Sequence, residues 1–202
     1  MFYILKCTAC GKEFSDDQGL YECKVCNGIL DVEYCLSSAN DEHQNVFKVN
    51  NVKSMWDFKE VLPLHSNTIF SLGEGGTPLL AARNISHSLD ISKVFIKNES
   101  VNPSGTFKDR CSSISVSKAV EFGAEAVILG SAGNAGASAA AYAALARIPC
   151  YVFVPAKTPI GRIAQTMMYG ARLLLIDGTV NDCIDLVKEI QQAHGWHNVT
   201  TA

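Results

Sequence analysis

No apolar run in this sequence approaches the length of a transmembrane helix. Nor does the opening MFYILKCTAC read as a secretory signal, because its apolar stretch is too short and runs straight into cysteines. Charge of one sign is not in excess: 17 Lys and Arg face 20 Asp and Glu, a formal charge of −3. Nothing global therefore draws the chain to nucleic acid or to an anionic membrane. The balance of 48% hydrophobic and 18% charged residues excludes a disordered or fibrous chain. At 202 residues this leaves one ordinary domain with room for a small appendage. The expected setting is cytoplasmic, where cysteines stay reduced and serve metals or catalysis more often than disulfides.

Cysteine, by contrast, is present and patterned. Cys7 and Cys10 form one CxxC, CTAC, followed by Gly11; Cys23 and Cys26 form another, CKVC, followed by Asn27 and Gly28. Each pair can wrap two thiolates around one ion, and the small trailing residue lets backbone amides turn toward the sulfurs. Two such knuckles on a hairpin make the tetrahedral four-cysteine site of a structural zinc ribbon, with Zn2+ held by Cys7, Cys10, Cys23 and Cys26. The rival reading is two pairs of buried thiols. A ribbon can also read nucleic acid, but this one carries Glu13, Asp16, Asp17, Glu22, Asp31 and Glu33 against Lys6, Lys12 and Lys24, a balance that repels phosphates. Cys35, Cys111, Cys150 and Cys183 show no mutual spacing and read as packing residues.

The organisation that follows is a ribbon over 1–35, a polar linker over 36–54 and an α/β part over 55–202. MWDFKEVLPL predicts a short amphipathic helix ended near Pro63, and SLGEGGTPLL an irregular glycine loop. From Lys93 onward strand-like runs (VFIKNE, AVILG, YVFVP, RLLLID) alternate with helical ones. Continuous apolar strands with intervening helices predict an open parallel sheet covered by helices on both faces. NPSGTFK and GSAGNAG then fall between strand and helix, at the carboxyl edge where such sheets collect ligands.

GSAGNAG has glycines at 130, 133 and 136, which is neither the dinucleotide GxGxxG nor a Walker A loop. It offers a helix N-terminus with free amides, Ser131 and the side chain of Asn134, a set suited to a carboxylate and a ring hydroxyl. The plainer alternative is a Gly-Ala turn that lets helix and sheet pack closely. In NPSGTFKDR, Lys108 stands at the mouth of a helix behind a turn of Pro103, Ser104 and Gly105. A solvated lysine has no use for such a turn; a lysine that holds a carbonyl cofactor does. The positive end of the helix dipole and a desolvated crevice both favour a neutral, nucleophilic amine there.

GEGGTPL, NPSGTFKDR, GSAGNAG and VPAKTPIGRIAQTMMYGA, in this order, resemble the threonine synthases, a family of fold-type II pyridoxal-phosphate enzymes, some of which carry an N-terminal four-cysteine ribbon. The resemblance covers nearly the whole chain. It implies that Lys108 carries pyridoxal 5′-phosphate covalently and shuttles protons at the substrate carbons. By the same resemblance Phe107 packs beside the cofactor and Asn134 binds its ring hydroxyl, while Ser131, Ala132, Gly133 and Ala135 grip the substrate carboxylate. Many members carry serine or threonine where this sequence has Ala132. Asp109 and Arg110 read as braces of the helix, and Thr77 and Pro78 as wall of the crevice.

The implied reaction converts O-phospho-L-homoserine and water into L-threonine and phosphate, so the expected partner is a small amino-acid phosphate, with no nucleic acid and no membrane. The resemblance admits a homodimer for the intact enzyme. In the family the cofactor-phosphate loop and the group facing the pyridine nitrogen lie beyond the equivalent of Ala202, and no second glycine cluster follows Gly178. The substrate-phosphate arginine expected after HNVTTA is not in the sequence either. The expectation is thus the N-terminal part of a longer enzyme, inactive by itself. Two other readings stay open. One is a related replacement or elimination on a phosphorylated amino acid, such as a cysteate synthase; the other is a non-catalytic zinc-ribbon α/β binding module.

Overall fold

The computed structural model describes residues 3–16, 20–34, 51–65 and 67–200. Two compact units emerge: Met1–Val52 with Trp56–Pro63, and Lys53–Met55 with Leu64–Ala202. The linker expected over 36–54 lies outside the described residues as far as position 50, as does Cys35. The helix expected in MWDFKEVLPL is a 3-10 stretch, Met55–Val61, broken by non-helical backbone at Phe58.

In the first unit β1 (Tyr3–Cys7) pairs antiparallel with β2 (Glu13–Phe14) on one side and β3 (Leu30–Tyr34) on the other. Tyr3, Leu5 and Cys7 are buried while Ile4 and Lys6 face outward, the period of two that a one-sided sheet requires. Lys6 sits opposite Glu13 and reaches Glu33 diagonally at 2.8 Å, so the outer face is laced by opposite charges.

In the second unit β6 (Val127–Gly130), β7 (Cys150–Pro155), β8 (Arg172–Ile176) and β9 (His197–Asn198) form a parallel sheet in the order β8-β7-β6-β9. Between them run α3 (Asn134–Ala146), α4 (Ile160–Met168) and α5 (Val180–His194), with α2 (Lys108–Glu121) ahead of β6. Alternate residues of each strand serve opposite faces. Val127, Leu129, Val152 and Val154 pack with Ala139, Ala140 and Ala143 of α3 and Ile163 of α4. Ile128 and Phe153 pack with Cys183 and Val187 of α5. Each fully buried Val, Leu, Ile or Phe among them stabilises the fold by about 1.5–3 kcal/mol. The expected parallel sheet with helices on both faces is what the chain forms.

The order of the strands matters more than their number. From β6 the chain steps to β7 and then β8 on one side, then returns through α5 to place β9 on the other side of β6. The sheet reverses direction at β6, and in open α/β sheets the crevice at the carboxyl end of that position is where ligands bind. GSAGNAG occupies that end of β6.

Two short strands depart from expectation. β4 (Leu79–Ala81), in a stretch that reads as loop, pairs antiparallel with β5 (Phe95–Lys97), which reads as part of the parallel sheet. Between them lies α1 (Arg83–Ser88). Leu79, Leu80, Phe95 and Ile96 are all exposed, so neither strand shows the one-sided burial that produces a readable alternation. No helix among the described residues is long and apolar enough to cross a membrane.

Candidate active site

Lys108 is the first residue of α2, and everything before it is a tight turn. Gly105, at φ +81°, donates its amide to the Asn102 carbonyl at 2.8 Å, and Thr106 Oγ1 accepts the Lys108 amide at 3.4 Å. The next residue, Asp109, is fully buried and acts as the clamp. Its carboxylate accepts the Ser104 amide at 2.7 Å, the Ser104 hydroxyl, and the Ser138 hydroxyl of α3 at 2.6 Å. An acid in the first helical turn also suits the helix dipole. Gln165 of α4 donates to the Ser104 carbonyl at 3.0 Å, so the lysine turn is tied to two helices of the sheet layer. Lys108 is half-buried, with Nζ 4.7 Å from the centroid of the exposed Phe107 ring.

Ser138 and Asn134 are four residues apart on α3 and so share a face. Because Ser138 meets Asp109, Asn134 stands one turn toward the start of α3, beside the mouth of α2. Two helix N-termini, one led by Lys108 and one by Asn134, thus open at the same edge. Ser131 Oγ accepts the amides of Gly133 at 3.4 Å and Gly136 at 3.0 Å, which caps α3 and leaves the hydroxyl proton to donate elsewhere. The first-turn amides of Asn134 and Ala135 have no intrahelical acceptor.

The three glycines of the loop divide between the two readings of it. A Cβ on Gly130 would lie 3.0 Å from the backbone nitrogen of Ile184 in α5, and one on Gly136 would lie 3.2 Å from Val152 Cγ1. Those two glycines serve close packing. Gly133 has nothing within 4 Å and borders open space with half-buried Ala132 and Ala135.

Two carboxylates that sequence reasoning passed over organise the surroundings. Glu74, of GEGGTPL, is fully buried and accepts from Tyr142 of α3 at 2.6 Å, the Leu72 amide at 2.9 Å and Ser71 at 3.1 Å. Burial pushes its carboxyl up, but hydrogen bonds from Ser113, Tyr142 and the backbone outweigh this and hold it below its ordinary value. Glu99 receives Arg110 in a fork, Nε to Oε2 at 2.8 Å and Nη2 to Oε1 at 2.9 Å, with Thr77 and Asn102 completing its coordination. The Arg110 guanidinium is the main reason its carboxyl falls from an ordinary 4.5 to about 2.

A carboxylate held below its ordinary value stabilises the fold fully above pH 4.5, and that contribution fades as pH falls through about 2. The melting temperature of Glu99→Gln should therefore trail wild type at neutral pH, and the gap should narrow across that window. A gap independent of pH would mean Glu99 carries no such charge.

The four patterned cysteines also converge: their sulfurs all lie within 4.8 Å of one another. Cys7 Sγ is 3.5 Å from Cys26 Sγ, and Cys10 Sγ 3.6 Å from Cys23 Sγ. Thiolates about 2.3 Å from a tetrahedral zinc stand about 3.8 Å apart, so the donor set fits such an ion. The Cys10 amide lowers Cys7 to about 6. The Gly28 amide favours the Cys26 thiolate, yet the crowding sulfurs of Cys10 and Cys7 push it up to about 12. Four sulfurs this close ionise together only around a cation.

Residues 70–202 match the pyridoxal-phosphate dependent enzyme family. Over 189 residues, 93% of this chain and 46% of the relative, the sequence is 38% identical to a threonine synthase of Methanosarcina acetivorans. It is 37% identical over the same shares to one of Methanocaldococcus jannaschii. The chain spans about half the length of the curated relatives it matches. Among solved structures, apo diaminopropionate ammonia lyase of Escherichia coli is similar in fold, with a TM-score of 0.58 and 20% identity over 64% of this chain and 41% of that one. O-ureido-L-serine synthase is similar at a TM-score of 0.54 and 22% identity, over 61% and 40%. The lysine turn and the switch-point loop both fall inside the matched residues, and the chain belongs to the pyridoxal-phosphate dependent enzyme family.

Proposed function

We propose that this chain supplies the lysine-bearing part of a threonine synthase, which converts O-phospho-L-homoserine and water into L-threonine and phosphate. The observation that carries the reading is the clamped turn that presents Lys108 beside the N-terminus of α3 at the switch point of the sheet. The threonine synthases it resembles at 37–38% identity over 93% of its length support the choice of reaction.

Pyridoxal phosphate, when bound, supplies an electron sink for charge developing beside the substrate amine. Lys108 would hold it covalently and, once released by the substrate amine, accept and return protons at the substrate carbons. Phe107 would pack beside the ring and Asn134 would bond its hydroxyl. Ser131, through its remaining proton, and the first-turn amides of α3 with Ala132, Gly133 and Ala135 would orient the substrate carboxylate. Asp109 holds none of these groups; it keeps the lysine turn in place. Cys7, Cys10, Cys23 and Cys26 would carry one structural Zn2+ in a ribbon over 1–35, joined by a linker over 36–54 to the α/β part. A cytoplasmic setting accords with reduced thiols.

The test is site mapping. Protein loaded with pyridoxal phosphate, reduced with borohydride and digested should carry a pyridoxyl group on the Lys108 peptide, and Lys108→Ala should lose it. The intact enzyme of which this chain is the lysine-bearing part should release phosphate from O-phospho-L-homoserine and not from O-phosphoserine. Label scattered over Lys12, Lys59 and Lys157, or the opposite substrate preference, would sink the proposal.

A further inference from the structure

Arg110 follows Lys108 by two residues, so the two side chains leave α2 about 200° apart. Arg110 faces the loops that carry Glu99 and Thr77, so Lys108 leaves α2 toward the opposite side. The Glu99 carboxylate accepts four hydrogen bonds, which is its full acceptor capacity. Oε1 takes Thr77 Oγ1 at 2.6 Å and Arg110 Nη2 at 2.9 Å; Oε2 takes Arg110 Nε at 2.8 Å and Asn102 Nδ2 at 3.0 Å. The donors come from three separate segments: the loop before β4, the lysine turn and α2. Asn102 extends the network by accepting the Gly75 amide at 3.0 Å, and Arg110 Nη2 also reaches Thr77 Oγ1 at 3.3 Å.

A forked guanidinium–carboxylate pair fixes orientation as well as distance, which a lysine in the same place would not do. An exposed ion pair has little influence on a fold, but this one is saturated and sits on the first turn of the helix that begins with Lys108.

We infer that Glu99, acting through Arg110, Thr77 and Asn102, is a positioning residue that sets the rotation of the first turn of α2 and so the direction in which Lys108 points. The inference rests on the proposed cofactor role of Lys108. A turn of the helix end by even about 1 Å is enough to slow a reaction at its tip by ~10²-fold.

The experiment compares wild type with Glu99→Gln, Arg110→Lys and Thr77→Val. Each protein is mixed with pyridoxal phosphate, quenched with borohydride at timed intervals well below its melting transition, and mapped by mass spectrometry. Label on the Lys108 peptide should appear about tenfold more slowly in Glu99→Gln and Arg110→Lys, and a few-fold more slowly in Thr77→Val. The pH titration of the bound chromophore should shift in the same order, which a merely destabilised fold would not produce. Thr77→Val keeps the volume of the side chain and removes one of the four bonds, so it decides the matter if the charged variants do not fold. Wild type labelled at Lys108 with all folded variants matching its rate would overturn the inference alone. Wild type unlabelled at Lys108 would overturn the cofactor reading and the inference with it.

Discussion

Gly75→Ala should destabilise the protein by about 3 kcal/mol or more, while Gly73→Ala, two residues earlier, should cost only about 1 kcal/mol. Both glycines hold positive φ, +89° at Gly73 and +92° at Gly75, so both substitutions meet the same backbone strain. The difference lies in what the new methyl touches. At Gly73 nothing stands within 4 Å. At Gly75 it would lie 2.4 Å from the backbone nitrogen of Met55 and 3.1 Å from Arg110 Nη1. The Met55 amide is already committed to the Glu74 carbonyl at 2.9 Å, and the Gly75 amide to Asn102. The backbone has to move to clear Met55, and Arg110 Nη1 has to give way as well. Urea unfolding of the two variants measures the contrast. Equal losses would mean that the loop yields freely and that the close approach has no structural weight. If Arg110 leaves Glu99 in giving way, Gly75→Ala should also slow labelling of Lys108.

Much of this architecture is legible in the residues. β6 and β7 are apolar without alternation because both faces are covered, and that is the signature of a parallel strand between helix layers. The ends of α5 are equally plain: Thr179 and Asp182 form a capping box, and Gly195 closes the helix at φ +65°. Lys108 at the start of α2 and Asn134 at the start of α3 follow from the glycine turns ahead of them. β4 does not, since three residues exposed on both faces leave no pattern to detect.

The carboxylates are harder still. Glu99 begins a short 3-10 turn eleven residues before Arg110; Asn102 closes that same turn, but Thr77 comes from the loop before β4, twenty-two positions away. Glu74 looks like a loop residue between glycines, and its burial depends on Tyr142, sixty-eight positions away. Periodicity reports which face of an element is covered. It is silent about a polar side chain whose partners are brought together only by the fold. Only the fold shows that one network draws its atoms from both GEGGTP and NPSGTFKDR.

Stripping metal from the ribbon should abolish protection of residues 3–16 and 20–34 against hydrogen exchange, and restoring Zn2+ should bring it back. The reason is the size of its core. Among the described residues the buried apolar side chains of this stretch are Tyr3, Leu5, Cys7 and Cys23, and two of these are proposed ligands. Three short strands with so little apolar burial do not fold unaided. The knuckles are built around the sulfurs instead. The Cys10 amide lies 3.5 Å from Cys7 Sγ and the Val25 amide 3.4 Å from Cys23 Sγ. Gly11 and Asn27 turn the chain with positive φ, and a Cβ on Gly28 would lie 2.9 Å from Cys7 Sγ. In such modules the binding free energy of the ion, about 10–16 kcal/mol for structural zinc, is the folding free energy. Chelator-washed protein should therefore retain one zinc per chain, Cys23→Ser should lose it, and Gly28→Ala should weaken it by crowding two ligands at once. Exchange protection that is indifferent to metal, in protein that holds none, would leave the four sulfurs as packing groups and remove the zinc site from the proposal.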